Sequence, residues 1–386
     1  MKKLLLNIVL IILSLPSFAC TTAIISAKAS STGRPLLWKQ RDTENEYNVL
    51  AHLKGTKYSF TALFNADDVS HKSAYAGAND HGFAIVNNMS YNLRPDSMGI
   101  ATSAGELMTK ALGACLSVDD FEKLLLSLEQ PNHLSTNFGV IDAFGGAAYF
   151  EVWEYGCRRY DVSDSPDGYL YRTNFSMSGN EGTGIGYARY ETAGYLLHKR
   201  TGKGISPEYL IDGVGRSFYN AITGENALYG KYMAMDNEYI PRTKTTSSIV
   251  IEGIGEGDSP DGSILWTVIG YAPCAYCVPV WVCAGDEMPL FVCSGVDGKA
   301  AANVLANNLK HRLHPLKFKN GELYLDARTL RKEILPVVRK FEKKEFELGR
   351  KLESDIRLNG FSAEKVKKHD AEANARFEQF RKYFFN

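Results

Sequence analysis

The sequence has no excess of charge of either sign: 44 Lys and Arg stand against 44 Asp and Glu in 386 residues. A nucleic-acid binder needs a basic surface to displace counterions, so neutrality argues against that class. Beyond the first twenty residues, no stretch is apolar over the roughly 20 residues a membrane span needs. Histidine is scarce, eight in all; His311 and His314 alone stand three apart, and none falls in a His-Glu-x-x-His spacing. The 34 glycines form no phosphate-cradling loop. The sequence therefore calls for no metal and no cofactor.

What is present is a folded chain. A hydrophobic fraction of 45% with 23% charged residues is the balance of a globular protein, long enough for one large domain or two ordinary ones. Charge is uneven along it. Residues 301–386 hold 20 basic and 12 acidic side chains, so an acidic body carries a mildly basic tail.

The first twenty residues have the anatomy of a secretory signal peptide: Met1-Lys2-Lys3, an apolar run from Leu4 to Leu15, then Pro16-Ser17-Phe18-Ala19. Export follows as an expectation, to a periplasmic or extracellular site. Cleavage after Ala19 leaves Cys20 as the new N-terminus, and three readings of it stay open. Lipidation is one, although Ser17 stands where that pathway usually has Leu. A structural thiol is the second. The third is a nucleophile whose base is its own α-amine.

Cys20-Thr21-Thr22-Ala23-Ile24-Ile25-Ser26 alternates and is rich in β-formers, which predicts a strand starting at the cysteine. Ser31-Thr32-Gly33-Arg34 reads as a turn and Pro35–Lys39 as the returning strand, running into Gln40-Arg41-Asp42-Thr43. Such a hairpin brings Lys39, Arg41 and Asp42 back beside the chain start. There a carboxylate can hold an amine, and a cation favours a thiolate.

These stretches resemble the N-terminal-nucleophile amidohydrolases: choloylglycine hydrolases, penicillin V acylase and, more closely, the acyl-CoA:6-aminopenicillanic acid acyltransferase-like branch. The resemblance implies an α+β fold, a four-layer α/β/β/α sandwich with the nucleophile on a central strand. It implies that an Asn ending the strand in Gly77–Asn88 helps form an oxyanion hole, with Asn87 preferred and Asn88 the alternative. It implies that Asn174, after the turn and strand of Pro166–Thr173, contacts the reacting carbonyl. The arginine that choloylglycine hydrolases place near the nucleophile falls on Lys39 or Arg41, and their second active-site arginine on Arg216 or Arg242. Trp38, Tyr91 and Arg172 join Asn88 as candidate substrate contacts, the aromatics suiting an apolar acyl group.

Cys274-Ala275-Tyr276-Cys277 sits among apolar residues with no histidine near, so structural thiols or a disulfide are expected there, not zinc. Helices are expected over Ala104–Ala114, Val118–Leu128 and Ala188–Lys199. The chain divides into residues 1–19, a catalytic body to about residue 300, and a charged helical C-terminal extension with amphipathic segments at Asp326–Leu348 and Ser362–Phe385. The expected function is hydrolysis of a linear carbon–nitrogen amide bond in a small N-acyl amide, through a thioester, with acyl transfer open. The alternatives are a Cys-Thr-Thr dipeptidase and a lipid-anchored binding protein. Self-association is also open.

Overall fold

Two antiparallel sheets lie face to face, with helices on both outer sides, in this computed structural model. It describes residues 19–93, 103–230, 232–236, 238–255, 257–317 and 323–385; the expected signal peptide, residues 1–19, lies outside them except for Ala19. In chain order, β1 (Ala19–Ile25) and β2 (Leu36–Asp42) form the expected hairpin. Thr21, Thr22, Ile24 and Ile25 are β-branched and favour extended backbone. The turn passes through Gly33 at φ +70°, a left-handed conformation that favours glycine.

A seven-stranded meander follows: β3 (Asn48–Lys54), β4 (Ser59–Asn65), β5 (Ala76–Asn79), β6 (Ala84–Met89), β7 (Thr136–Ile141), β8 (Ala147–Trp153) and β9 (Gly156–Asp161). Then β10 (Tyr169–Arg172), β11 (Thr245–Glu252), β12 (Ile264–Ile269) and β13 (Val278–Trp281) join the first hairpin in a six-stranded sheet, ordered β10-β1-β2-β11-β12-β13. The sheets meet where β1 and β2 pack on β6 and β7. All seven residues of β1 and all seven of β2 are buried, because one face meets the other sheet and the other meets helices.

Helices α1 (Ala104–Ala114) and α2 (Val118–Leu126) cover the seven-stranded sheet. Ser103 and Ser117 cap them, their hydroxyls accepting from the Glu106 and Asp120 amides at 3.2 and 3.1 Å. Asp119 and Asp120 complement the dipole of α2. On the far side lie α3 (Tyr187–His198), α4 (Ala301–Leu313), α5 (Leu335–Asn359) and α6 (Ala363–Phe384). This is the four-layer α/β/β/α sandwich.

The helices of the C-terminal extension supply part of that outer layer. Phe346 of α5 packs on Trp266 with ring centroids 4.6 Å apart. Glu342 of α5 forms a buried pair with Arg216, at 2.7 and 2.6 Å, and accepts the Cys277 amide at 2.8 Å. Glu353 takes Arg34 at 3.0 Å.

Candidate active site

Strand parity decides which side chains share a face with Cys20. In the β1–β2 ladder Cys20 lies opposite Arg41 and Thr22 opposite Lys39, while β10 places Arg172 opposite Thr22. Residues directly opposite in an antiparallel pair project to the same side. That side faces the second sheet, since the Thr22 hydroxyl donates to Asn88 Oδ1 on β6 at 2.9 Å and accepts from the Tyr149 hydroxyl on β8 at 2.9 Å. Cys20, Lys39 and Arg41 therefore look into the space between the sheets.

The backbone nitrogen of Cys20 donates to Asn174 Oδ1 at 2.9 Å. Arg189 of α3 fixes that acceptor: its Nη2 donates to the same Oδ1 at 2.9 Å, and its Nη1 donates to the Cys20 carbonyl at 2.8 Å and to Thr21 Oγ1 at 3.1 Å. Asn174 Nδ2 in turn donates to the Met89 carbonyl at 2.9 Å. Asn174 Oδ1 thus serves the nitrogen of Cys20, while one of the two Nδ2 hydrogens goes to Met89. Sequence reasoning missed Arg189. The one local signal is Gly186, at φ +90°, where a Cβ would run into the Arg189 guanidinium as it folds back toward β1. Burial lowers the Arg189 pKa to about 10, with nearby Arg242 adding to the effect.

Lys39 Nζ donates to Asn87 Oδ1 at 2.6 Å and to the Tyr75 carbonyl at 2.9 Å. Among the described residues Asn87 Nδ2 has no partner, so it is an uncommitted donor. Burial brings the Lys39 pKa from 10.5 down to about 8; attraction by Cys20 opposes this and repulsion by Arg41 adds to it. Arg41 donates to Asn48 Oδ1 and, at 2.7 Å, to Asn65 Oδ1, and its guanidinium lies 3.7 Å from the centre of the Tyr75 ring. Burial lowers its pKa as well.

The other candidates divide. Asp42 lies opposite Ala19 on the face away from Lys39 and Arg41, where it accepts from Arg242 Nε at 2.8 Å and Thr245 Oγ1 at 2.7 Å. Burial raises its pKa, and Arg242 and then Arg189 oppose the rise. Arg242 is thus tied to the strand end beside Cys20, whereas Arg216 is held by Glu342 in the helical layer. Trp38 shares the face of Asp42, fully buried, with its indole donating to Ser248 Oγ at 3.0 Å; it belongs to the core and does not reach the space in front of Cys20. Arg172 does face inward, but its Nε donates at 2.8 Å to the fully buried Glu151, which also accepts the Met177 and Ser178 amides. That pair braces the loop after Asn174, and Arg172 Nη1 donates to the Tyr171 carbonyl at 2.9 Å. Asn88 is likewise engaged, by Thr22 and the Thr173 carbonyl. Tyr91 meets the site through its backbone, donating to the Asn174 carbonyl at 3.1 Å.

The seven cysteines are free thiols. Cys274 and Cys277 are fully buried, and burial pushes both thiols far up. Among the described residues no cluster of three or more histidine, cysteine or acidic side chains is placed to hold a metal.

No family model and no curated protein matches the chain. Solved structures do. An N-acylethanolamine-hydrolyzing acid amidase ortholog from Caenorhabditis elegans aligns with a TM-score of 0.42 at 13% identity, over 63% of this chain and 96% of that one. A variant of the conjugated bile acid hydrolase from Clostridium perfringens aligns at 0.40 and 10%, over 68% and 92%. Penicillin V acylase from Agrobacterium tumefaciens aligns at 0.37 and 11%, over 68% and 86%.

Proposed function

We propose that this protein is an exported hydrolase of linear amide bonds whose nucleophile is Cys20, exposed as the N-terminal residue by cleavage after Ala19. The carrying observation is the hydrogen bond from the Cys20 nitrogen to Asn174 Oδ1, with Arg189 locking that acceptor. An amine at this position keeps one N–H on Asn174 and turns its lone pair toward its own thiol. The aligned structures, by name an amidase, a bile acid hydrolase and a penicillin acylase, accord with amide cleavage.

The steps are these. The α-amine takes the thiol proton, and the thiolate adds to the amide carbonyl. The developing oxyanion is met by Asn87 Nδ2, whose amide is oriented by Lys39 holding its other end. The intermediate collapses, the leaving amine takes the proton from the α-ammonium, and a thioester remains on Cys20. Water, deprotonated by the same α-amine, then releases the carboxylic acid and restores the thiol.

The test is intact-mass analysis of the secreted protein during turnover of N-acyl amides. The mature chain should start at Cys20 and show a transient acyl increment that is absent from Cys20→Ala. Cys20→Ser should retain a slow reaction, since serine keeps the α-amine. A lipid-sized increment on Cys20, or full activity in Cys20→Ala, overturns the reading.

A further inference from the structure

The inner faces of two packed sheets normally meet in an apolar core, since a buried polar group is costly unless it is hydrogen-bonded. One row of the second sheet departs from that pattern. In the β6–β7 ladder Asn88 lies opposite Asn137, and in the β7–β8 ladder Asn137 lies opposite Glu151, so all three project to the same side. Asn88 meets Thr22 there, which makes it the side that faces the first sheet. Asn88 is 1% exposed, and Asn137 and Glu151 are 0% exposed.

The chain that leaves β10 crosses this row one residue after another. Asn88 Nδ2 donates to the Thr173 carbonyl. Asn137 Nδ2 donates to the Phe175 carbonyl at 3.1 Å and lies 3.5 Å from that of Thr173, while its Oδ1 accepts from the Ser176 hydroxyl at 2.5 Å. Glu151 accepts the Met177 and Ser178 amides at 2.9 and 2.8 Å and the Ser178 hydroxyl at 2.6 Å. Asn92, just past β6, holds both backbone groups of Ser176, accepting its amide at 2.8 Å and donating to its carbonyl at 2.9 Å. Asn137 therefore grips the backbone on both sides of Asn174, whose Oδ1 receives the Cys20 nitrogen. Among the described residues no member of the row bonds to Cys20 itself.

We propose that Asn88, Asn137 and Glu151 are positioning residues: a row across three strands of the second sheet that fixes the backbone of residues 173–178 and so aims Asn174 at the nitrogen of Cys20. Asn137 is its central member. The assignment rests on the proposed hydrolase reading, in which that nitrogen is the base. Cys20 and Asn174 are 154 residues apart, and the chain beyond β10 has left the ladder that paired it with β1. Its carbonyls and amides need other partners, and the row supplies them at successive residues. A reacting group displaced by about 1 Å can lose about 100-fold in rate, so a rigid mount for Asn174 bears directly on turnover.

The test reads Cys20 without needing turnover. The mature protein is alkylated with iodoacetamide across a pH series, and the pH midpoint of the Cys20 rate is measured for each variant. An ammonium held by Asn174 is a cation beside the thiol and brings the thiolate in at lower pH, so Asn174→Ala should raise the midpoint. Asn137→Ala should raise it by at least about half a pH unit and lower kcat on N-acyl amides by about tenfold or more. Ser176→Ala, which removes the hydroxyl that Asn137 accepts from, should give a smaller rise and covers the case in which Asn137→Ala does not fold. In an Asn174→Ala background neither substitution should move the midpoint further, because both act through that residue. Glu342→Gln, in the helical layer, controls for lost stability and should leave the midpoint in place. An unmoved midpoint in the Asn137, Ser176 or Asn174 variants, shifts that add to that of Asn174→Ala, or an equal shift in Glu342→Gln overturns the proposal. Coupled shifts in a protein that hydrolyses no N-acyl amide sink the hydrolase reading and leave the positioning role standing.

Discussion

Lys39 Nζ lies 2.6 Å from Asn87 Oδ1, so the amide that the proposed mechanism assigns to the oxyanion is aimed by a lysine whose pKa burial has brought to about 8. When that lysine loses its proton it no longer holds Asn87 with a charged donor, and kcat/KM is expected to fall as pH rises through about 8. Stability should move the other way. The unfolded chain keeps the lysine proton up to about 10.5 while the folded chain gives it up near 8, so between these values the unfolded state binds more protons. The cost of the buried charge is fully present below pH 8 and fades as pH climbs toward 10.5. Lys39→Arg should carry the alkaline limb of the rate profile well above 8, and a limb left in place in that variant assigns it to another group.

Asn87→Ala tests the oxyanion assignment directly. Loss of one such donor costs about 10²–10³ in kcat. The decrease should appear in kcat with KM little changed, because the donor is matched to charge that develops in the transition state. A variant that instead raises KM alone would place Asn87 in ground-state binding.

The Asn174–Arg189 pair predicts a shift in the acidic limb. Asn174 Oδ1 accepts from the Cys20 nitrogen and so favours its protonated form after cleavage. Asn174→Ala should move the acidic limb of the pH–rate profile to lower pH while reducing kcat by about 10-fold or more. Arg189→Lys and Gly186→Ala should reproduce part of both effects, the second by displacing the Arg189 guanidinium. A kcat loss with an unmoved limb would make the cluster a purely structural brace.

Much of this arrangement was legible in the linear sequence. The hairpin from Cys20 to Asp42 shows in its alternation and its turn, and α1 occupies Ala104–Ala114 as its periodicity predicts. The face assignments follow from strand parity as well, which the expectation of Trp38 as a substrate contact overlooked. Neighbouring residues of a strand project to opposite sides, so Trp38 cannot share the face of Lys39, nor Asp42 that of Arg41. Arg189 was not legible, because its role arises only when a helix 169 residues downstream of Cys20 is laid across β1. The C-terminal helices reveal their amphipathic pattern in sequence but not their partner. The charge of Glu342 is matched by Arg216, 126 residues away.

That pair carries a stability prediction. Glu342 accepts from two guanidinium nitrogens of Arg216 and from the Cys277 amide, all in the buried layer between α5 and the sheet. Glu342→Ala removes the two-point counter-ion of a buried arginine and leaves it only the more exposed Asp212 at 3.4 Å, an expected loss of about 3–5 kcal/mol. Urea denaturation should show the midpoint falling with little change in slope. Glu342→Gln should recover part of the loss by keeping hydrogen-bond acceptors, whereas an effect below about 1 kcal/mol for the alanine variant would mean the tail helices contribute little to the fold.

Thiol reactivity separates Cys20 from the other six cysteines. Burial pushes Cys115 and Cys283 up to about 12 and Cys293 to about 11, raises Cys157, and drives Cys274 and Cys277 higher still. Only the thiolate attacks an alkylating agent, and at neutral pH these six are almost wholly thiols. Cys20 instead faces the buried cations Lys39 and Arg41. Iodoacetamide at pH 7.5 should therefore add one alkyl group to the folded mature protein, lost in Cys20→Ala and protected by a bound N-acyl amide. Under denaturing conditions all seven thiols of the wild-type chain should react. Early modification of Cys157 or Cys293 in the folded protein, with Cys20 untouched, would mean that Cys20 is not the reactive thiol.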